Sequence, residues 1–190
     1  GANFAAPLNV GRAEVGTPDP RKTRKGELPL RSLHVFDHSL PHVSGYVYRS
    51  LGILDAQAAA GIETWMITAP RQYSGAAWLE RVDDRLFFRT PDAREGGHPI
   101  VREVRRFALL RSRLEEMVRA LRPDIVHVHS PVLNALPLLR VLGRYRLPWV
   151  YEMRASWEDA AVSHGAATYL GPRYRASRAV ETHVLRRADH

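Results

Sequence analysis

The 190-residue chain contains no cysteine, so it forms neither a disulfide nor a thiolate metal site. No apolar run approaches the roughly 18–20 residues that a membrane-spanning helix needs. Lysine is nearly missing: of 28 basic residues only Lys22 and Lys25 are lysine. The first twenty residues lack the charged-then-apolar order of a secretory leader. With the missing cysteine, this makes the cytoplasm the expected location. There is no P-loop, no zinc spacing, no Ser-His-Asp set and no three-glycine dinucleotide fingerprint, which sets NAD aside.

What remains is arginine. The formal net charge is +8 and the pI about 10.4. Guanidinium forks pair with phosphates and carboxylates. Composition therefore admits nucleic acid, an anionic membrane surface or a phosphorylated small molecule, beside a merely solvated surface. Hydrophobic residues at 45% and charged residues at 25% suit a globular chain, and the length suits one domain rather than two.

Residues 1–31 are rich in glycine, proline and charge and read as a flexible arm, leaving 32–190 as the folded domain. From there strands and helices alternate. Strands are predicted at 33–37, 63–68, 85–89, 124–129 and 149–153. Helices are predicted at 46–60, 100–121, 133–142 and 174–187, with Pro137 kinking the third or sitting near its start. Val47, Leu51, Leu54 and Ala58 form the apolar stripe of the first helix. Val104, Phe107, Ala108, Leu114, Met117, Val118 and Leu121 form that of the second. Such alternation predicts an α/β, Rossmann-like, mainly parallel sheet with helices on both faces. Ligands of such sheets bind beyond the carboxyl ends of the strands. Four segments should meet there: 38–45, 68–73, 129–134 and 154–164.

The stretches LHVFDHSLP (33–41), SGY (44–46), RPDIVHVHSP (122–131) and YEMRASWED (151–159) resemble the amino-terminal domain of family-4 retaining glycosyltransferases. The likeness is greatest to bacterial enzymes of exosortase-associated cell-surface polysaccharide synthesis, and it covers about 33–189. It implies one half of a two-domain GT-B enzyme, cut off before the half that binds the nucleotide-sugar donor. The implied reaction moves a sugar from that donor to an acceptor hydroxyl of a glycan or a lipid-linked carrier. No obligatory metal or other cofactor is implied. The fragment alone should then be inactive, and apolar surface facing the other half could drive self-association.

Ser44-Gly45 opens the first helix, where backbone approaches a ligand closely and a helix amino terminus favours anions. The resemblance lays this loop over the donor phosphates, near the acceptor. A plain helix cap at Ser44 is the other reading. His127 and His129 share one strand face. Two imidazoles without a third make a poor metal site, so no metal is expected. The resemblance gives His129 contact with the reacting sugar or acceptor, while His127 reads as a packed core histidine. Arg154, Trp157 and Glu158, with Glu152 and Asp159, could hold an acceptor by an ion pair, ring stacking and hydroxyl contacts, or form a surface ion-pair cluster. Asp37 and His38, with His42, could place acceptor hydroxyls or a phosphate. Arg102, Arg105, Arg106 and Arg113 could lie on anionic lipid at the inner membrane face, or be balanced by Glu103, Glu115 and Glu116. The alternative function is a non-catalytic Rossmann-like module with a basic, anion-binding surface. Nucleic acid is not expected as a partner, because no recognition motif accompanies the arginines.

Overall fold

The computed structural model describes residues 29–72, 78–90, 92, 97–155, 168–169 and 171–190. Most of the expected arm, together with Trp157, Glu158 and Asp159, lies outside the described residues. The elements run β1 (Arg31–Phe36), α1 (Gly45–Ala59), β2 (Glu63–Thr68), β3 (Leu79–Val82), β4 (Arg85–Phe88), α2 (Pro99–Leu121), β5 (Ile125–His129), α3 (Val132–Ala135), a 3-10 turn (Leu136–Leu138), α4 (Leu139–Tyr145), β6 (Trp149–Glu152) and α5 (Pro172–Leu185). The six strands form one sheet in the order β3-β4-β2-β1-β5-β6. All neighbours are parallel except the β3–β4 pair. This is an α/β Rossmann-like sheet.

Strand alternation sorts the two faces. Leu33, Val35, Ile67, Val126, Val128, Trp149 and Tyr151 point one way, into a core closed by α2, α3, α4 and the end of α5. Phe36, Met66 and Phe87 point the other way and meet Leu54 of α1. Helices therefore cover both faces. The histidines fall on the α1 face, because His34 alternates with Leu33 and Val35, and His127 and His129 with Val126 and Val128.

Local chemistry explains most element ends. Ser44 caps α1 by accepting a hydrogen bond from Val47 N–H at 3.3 Å. Gly61, at φ 78°, follows the helix in a conformation glycine adopts without strain. Pro99 occupies the first turn of α2, where no hydrogen-bonded N–H is needed. Pro137 lacks an N–H, and the predicted 133–142 helix is accordingly broken into α3, the 3-10 turn and α4.

Three expectations are corrected. β3 was not foreseen; it pairs antiparallel with β4 around a turn in which Asp83 has φ 52°. In α1, Ser50 takes a buried place and Ala58 is exposed. In α2, Val104 and Ala108 are exposed, and burial begins only at Leu110. The reason is length. The 23 residues of α2 span about 35 Å at 1.5 Å per residue, whereas a six-residue strand spans roughly 20 Å. The amino-terminal turns of α2 overhang the carboxyl edge of the sheet.

Candidate functional site

The carboxyl ends of β1 and β2 open into a cleft of about 580 Å³. It is lined by Asp37, His38, Pro41, His42, Arg71, Gln72 and Glu80. Each lining group is set by its neighbours. Asp37 N–H donates to the Tyr46 hydroxyl at 3.0 Å, fixing the residue that leaves β1. The His38 ring stacks on Tyr46 with centroids 4.5 Å apart. Its Nδ1 is 3.2 Å from Asp37 Oδ2 and its Nε2 is 3.1 Å from Ser44 Oγ. Burial pushes the Tyr46 hydroxyl pKa well up, so the group stays protonated. Gln72 pins the 39–40 loop, accepting from Ser39 N–H at 2.7 Å and donating to Ser39 O at 2.8 Å.

Two arginines shape the floor. Arg71 Nη1 donates to Asn134 Oδ1 at 3.2 Å, its Nη2 donates to Glu103, and Asp37 Oδ1 is 3.6 Å from Nη1. Arg89 has no exposed side-chain surface. It donates to Glu80 at 2.7 Å, to Ser39 Oγ at 2.6 Å, to Gln72 Oε1 at 3.3 Å and to the Leu40 carbonyl, above the Phe87 ring. Burial lowers its pKa and the Glu80 carboxylate opposes that shift. Asp37 Oδ1 is buried and accepts no hydrogen bond among the described residues.

Behind this cleft lies a polar cluster under α1. His34 Nδ1 is 3.1 Å from His129 Nε2, and His34 Nε2 is 2.8 Å from Gln57 Oε1. His129 Nδ1 is 2.6 Å from Arg154 Nη2 and 2.8 Å from Glu152 Oε2. Arg154 Nη1 donates to the Tyr46 carbonyl at 2.7 Å and to Ser50 Oγ at 2.9 Å. Arg49 pairs with Glu152 from the solvent side at 2.8 Å. Arg154 and Glu152 both meet His129 Nδ1, and with the ring neutral that nitrogen either accepts from Arg154 or donates to Glu152.

Burial keeps the rings neutral. It lowers the His34 pKa to about 4, with His127 adding to the shift. It also holds His129 well below its ordinary value, against the pull of Glu152. Burial pushes the Glu152 carboxyl up, but His127, His129 and Arg154 outweigh it and hold its pKa far below the carboxylate range.

The residues singled out from sequence divide into three groups. Asp37, His38 and His42 line the cleft, and Ser44 and Gly45 form the adjoining start of α1. A Cβ on Gly45 would meet nothing within 4 Å among the described residues, so none of them requires that glycine for packing. Arg154 points inward, 7% exposed, and engages Tyr46, Ser50, His129 and Glu152 rather than an open surface. The expectation for the histidine pair is reversed: His129 is wholly buried, and His127 is the more open, at 14%. The cause is cross-strand register, which sets His127 beside His34 and His129 beside Glu152, under the Arg154 side chain.

Sequence reasoning missed Arg71, Gln72, Glu80, Arg89 and Asn134, although Arg71, Gln72 and Asn134 lie in segments expected to converge there. It also missed His34. The ligand atoms of His34, His127 and His129 lie within 4.8 Å of one another, so the third imidazole thought absent is supplied by β1. The basic face of α2 is largely engaged. Arg105 and Arg106 pair with Asp92, and Arg113 pairs with Glu116 and covers Trp78.

A family model described as Glycosyl transferase 4-like domain matches residues 44–190, more than half of the chain, and the chain belongs to that family. The mainly parallel sheet with helices on both faces is consistent with one half of a GT-B fold. No curated protein matches. Two crystal structures of the C-terminal domain of a hydrogenase from Pyrococcus furiosus are similar, each with 13% identity and a TM-score of 0.48. They cover 65% and 67% of this chain and 92% and 97% of their own. No described helix is long and apolar enough to cross a membrane.

Proposed function

We propose that this domain is the acceptor-side half of a retaining glycosyltransferase of cell-surface polysaccharide or glycolipid synthesis, working with a second Rossmann-like unit that holds the nucleotide sugar. The observation that carries the reading is the cleft at the carboxyl ends of β1 and β2, where Asp37, His38 and Arg71 meet beside the start of α1. An acceptor hydroxyl there would bond to the anomeric carbon of the donor sugar as the bond to the leaving nucleoside diphosphate breaks. Its proton would pass to the departing phosphate. The α1 amino terminus at Ser44 and Gly45, positive by its dipole, would face the developing negative charge. Ile100, Val101 and Val104, exposed on the overhanging turns of α2, fit the covering half.

On this reading His129 acts by position. Its Nδ1 lies against Arg154, whose other terminal nitrogen holds the first turn of α1, and it touches no substrate. His34 and His129 are joined by a hydrogen bond and His127 packs against both rings, an arrangement that requires no metal. Arg154 and Arg49 already neutralise Glu152 and leave no excess negative charge for a dication.

The test is saturation-transfer NMR on the 190-residue chain with saccharides and with nucleotide sugars. Saccharide signals should be saturated, and lose saturation on Arg71→Ala, while nucleoside diphosphates show little. No sugar should be transferred by this chain alone. Tight nucleotide binding, or turnover by the purified chain, would defeat the assignment.

A further inference from the structure

We infer that the outward face of α5 is a docking surface for a bilayer rich in anionic phospholipid. This does not depend on what the cleft binds, since no cleft-lining residue belongs to α5. Residues 172–187 carry five arginines against one glutamate, with no lysine and no aspartate. That glutamate, Glu181, is buried and accepts from the Tyr151 hydroxyl at 2.6 Å. Tyr174, Glu181 and Val184 form the buried side of the helix, which leaves the arginines to solvent.

Arg175, Arg178, Thr182 and Arg186 follow one another at steps of three, four and four residues, so they lie on one stripe. With His183 and Arg187 they line a hollow of about 580 Å³. Arg178 Nη1 donates to the Tyr174 hydroxyl at 3.4 Å and Arg187 Nη1 to the His183 carbonyl at 3.2 Å, contacts that remove no charge. Among the described residues, Arg175, Arg178, Arg186 and Arg187 pair with no carboxylate. Asp189, beside Arg187, is turned to accept from the Trp149 N–H at 3.0 Å. The helix α2 is built the other way, with Arg113 on Glu116, Arg119 on Glu115, and Arg105 and Arg106 on Asp92. Like charges along one helix stripe repel, so the α5 face holds a cost that a surface of phosphates relieves.

Two features select a bilayer among anions. Arg175 and Arg186 stand about 16 Å apart along the helix at 1.5 Å per residue, too far to close on one small anion. Exposed apolar side chains flank the row: Tyr169, 61% exposed, precedes the helix, and Leu185, 43% exposed, adjoins Arg186. Arginine heads on phosphates, with aromatic and aliphatic neighbours entering the headgroup boundary, are the pattern of a helix that lies on a membrane. A nucleic-acid duplex would give Leu185 nothing to bury against.

Sedimentation of the 190-residue chain with vesicles tests this. One set is phosphatidylcholine alone; the other contains phosphatidylglycerol at about one part in three. The chain should pellet with the anionic set only, and be released as salt rises from about 0.05 M to about 0.5 M and shortens the Debye length. Arg175→Glu with Arg186→Glu should lower partitioning at least about tenfold, since each arginine near an anionic surface is worth about 1 kcal/mol, or about fivefold. Both residues are exposed, so the melting temperature should hold. Arg81→Glu with Arg111→Glu, exposed on β3 and α2, makes the same change in net charge and should lower partitioning far less. Absence of binding to the anionic set overturns the inference. So does equal loss in the two double variants, which would mean that net charge alone acts. A short single-stranded RNA that binds through Arg175 and Arg186 and displaces the vesicles would make the face a nucleic-acid site and overturn the lipid assignment. None of these outcomes bears on the acceptor-side reading.

Discussion

The guanidinium of Arg154 lies 4.1 Å from the centre of the Tyr46 ring while its Nη1 donates to the Tyr46 carbonyl. One side chain thus ties the residues just after β6 to the first turn of α1. Tyr46 in turn receives the Asp37 N–H and stacks on His38. Two of the cleft's lining residues are therefore placed, through one intermediate, by an arginine that does not reach the cleft.

Removing that arginine should be costly. Arg154→Ala leaves Glu152, His129 and Ser50 without their shared partner, and breaking a buried charged pair typically costs about 3–5 kcal/mol. Arg49 still neutralises Glu152, so a loss of about 3 kcal/mol is expected in urea unfolding. Arg154→Lys should recover less than half, because an ammonium cannot reach Tyr46, Ser50 and His129 together as the fork does. Full recovery by lysine would mean that charge alone matters here.

Acid should weaken the fold before ordinary carboxylates titrate. The His34 pKa is depressed to about 4 by burial, below its unfolded value of about 6.5. In that window the unfolded chain binds more protons, so stability is present above pH 6.5 and lost as pH falls towards 4. His34 alone contributes a loss of about 2 kcal/mol by pH 5, at about 1.4 kcal/mol per pH unit. His129, shifted the same way, adds to it. Glu152, also depressed, begins to contribute only below its unfolded value of about 4.3. Urea midpoints at pH 7, 6 and 5 read this directly, and His34→Asn should flatten the slope. A flat profile in the unaltered chain would contradict neutral, buried imidazoles.

The histidine cluster should be indifferent to metal. A ligand at a hundred times its dissociation constant would stabilise the fold by about 2.7 kcal/mol. Neither chelator nor stoichiometric zinc should therefore move the melting temperature. A rise of several degrees with zinc would make His34, His127 and His129 ligands and end the hydrogen-bonded reading.

The sheet was legible because its strands alternate cleanly. Leu33, Val35, Val126 and Val128 announce one buried face, and the helices between them announce crossovers. β3 was not legible: Leu79-Glu80-Arg81-Val82 is short and half charged, and only the Asp83-Asp84 turn before β4 marks it. The overhang of α2 was not legible either, because periodicity shows which residues share a stripe but not where the sheet beneath it ends. Asp37 and His38 could be placed in the cleft because the end of β1 fixes their position. The surroundings of Arg71, Arg89 and His129 depend on contacts between residues far apart in sequence, such as His34 with His129 and Arg71 with Asn134. No local pattern encodes those.

That dependence reverses the expectation for the two β5 histidines. Sequence alone made His127 the packed residue and His129 the reactive one. In the folded chain His129 is enclosed, between His34 on one nitrogen and Arg154 and Glu152 on the other. His129→Ala empties a buried site, which costs roughly 2–5 kcal/mol for a large core side chain. It also strands the His34 nitrogen, and an unsatisfied buried polar group adds about 1–3 kcal/mol. A loss of at least about 3 kcal/mol is expected. His127 is partly open and touches Glu152 at 3.3 Å from one ring nitrogen. Its truncation should cost about 1 kcal/mol, as for a residue at the edge of the core whose ring nitrogen makes no hydrogen bond. Paired urea unfolding of the two variants decides the order. If His127→Ala is the more damaging, the chain through His34, His129 and Arg154 is not what holds α1 to the sheet.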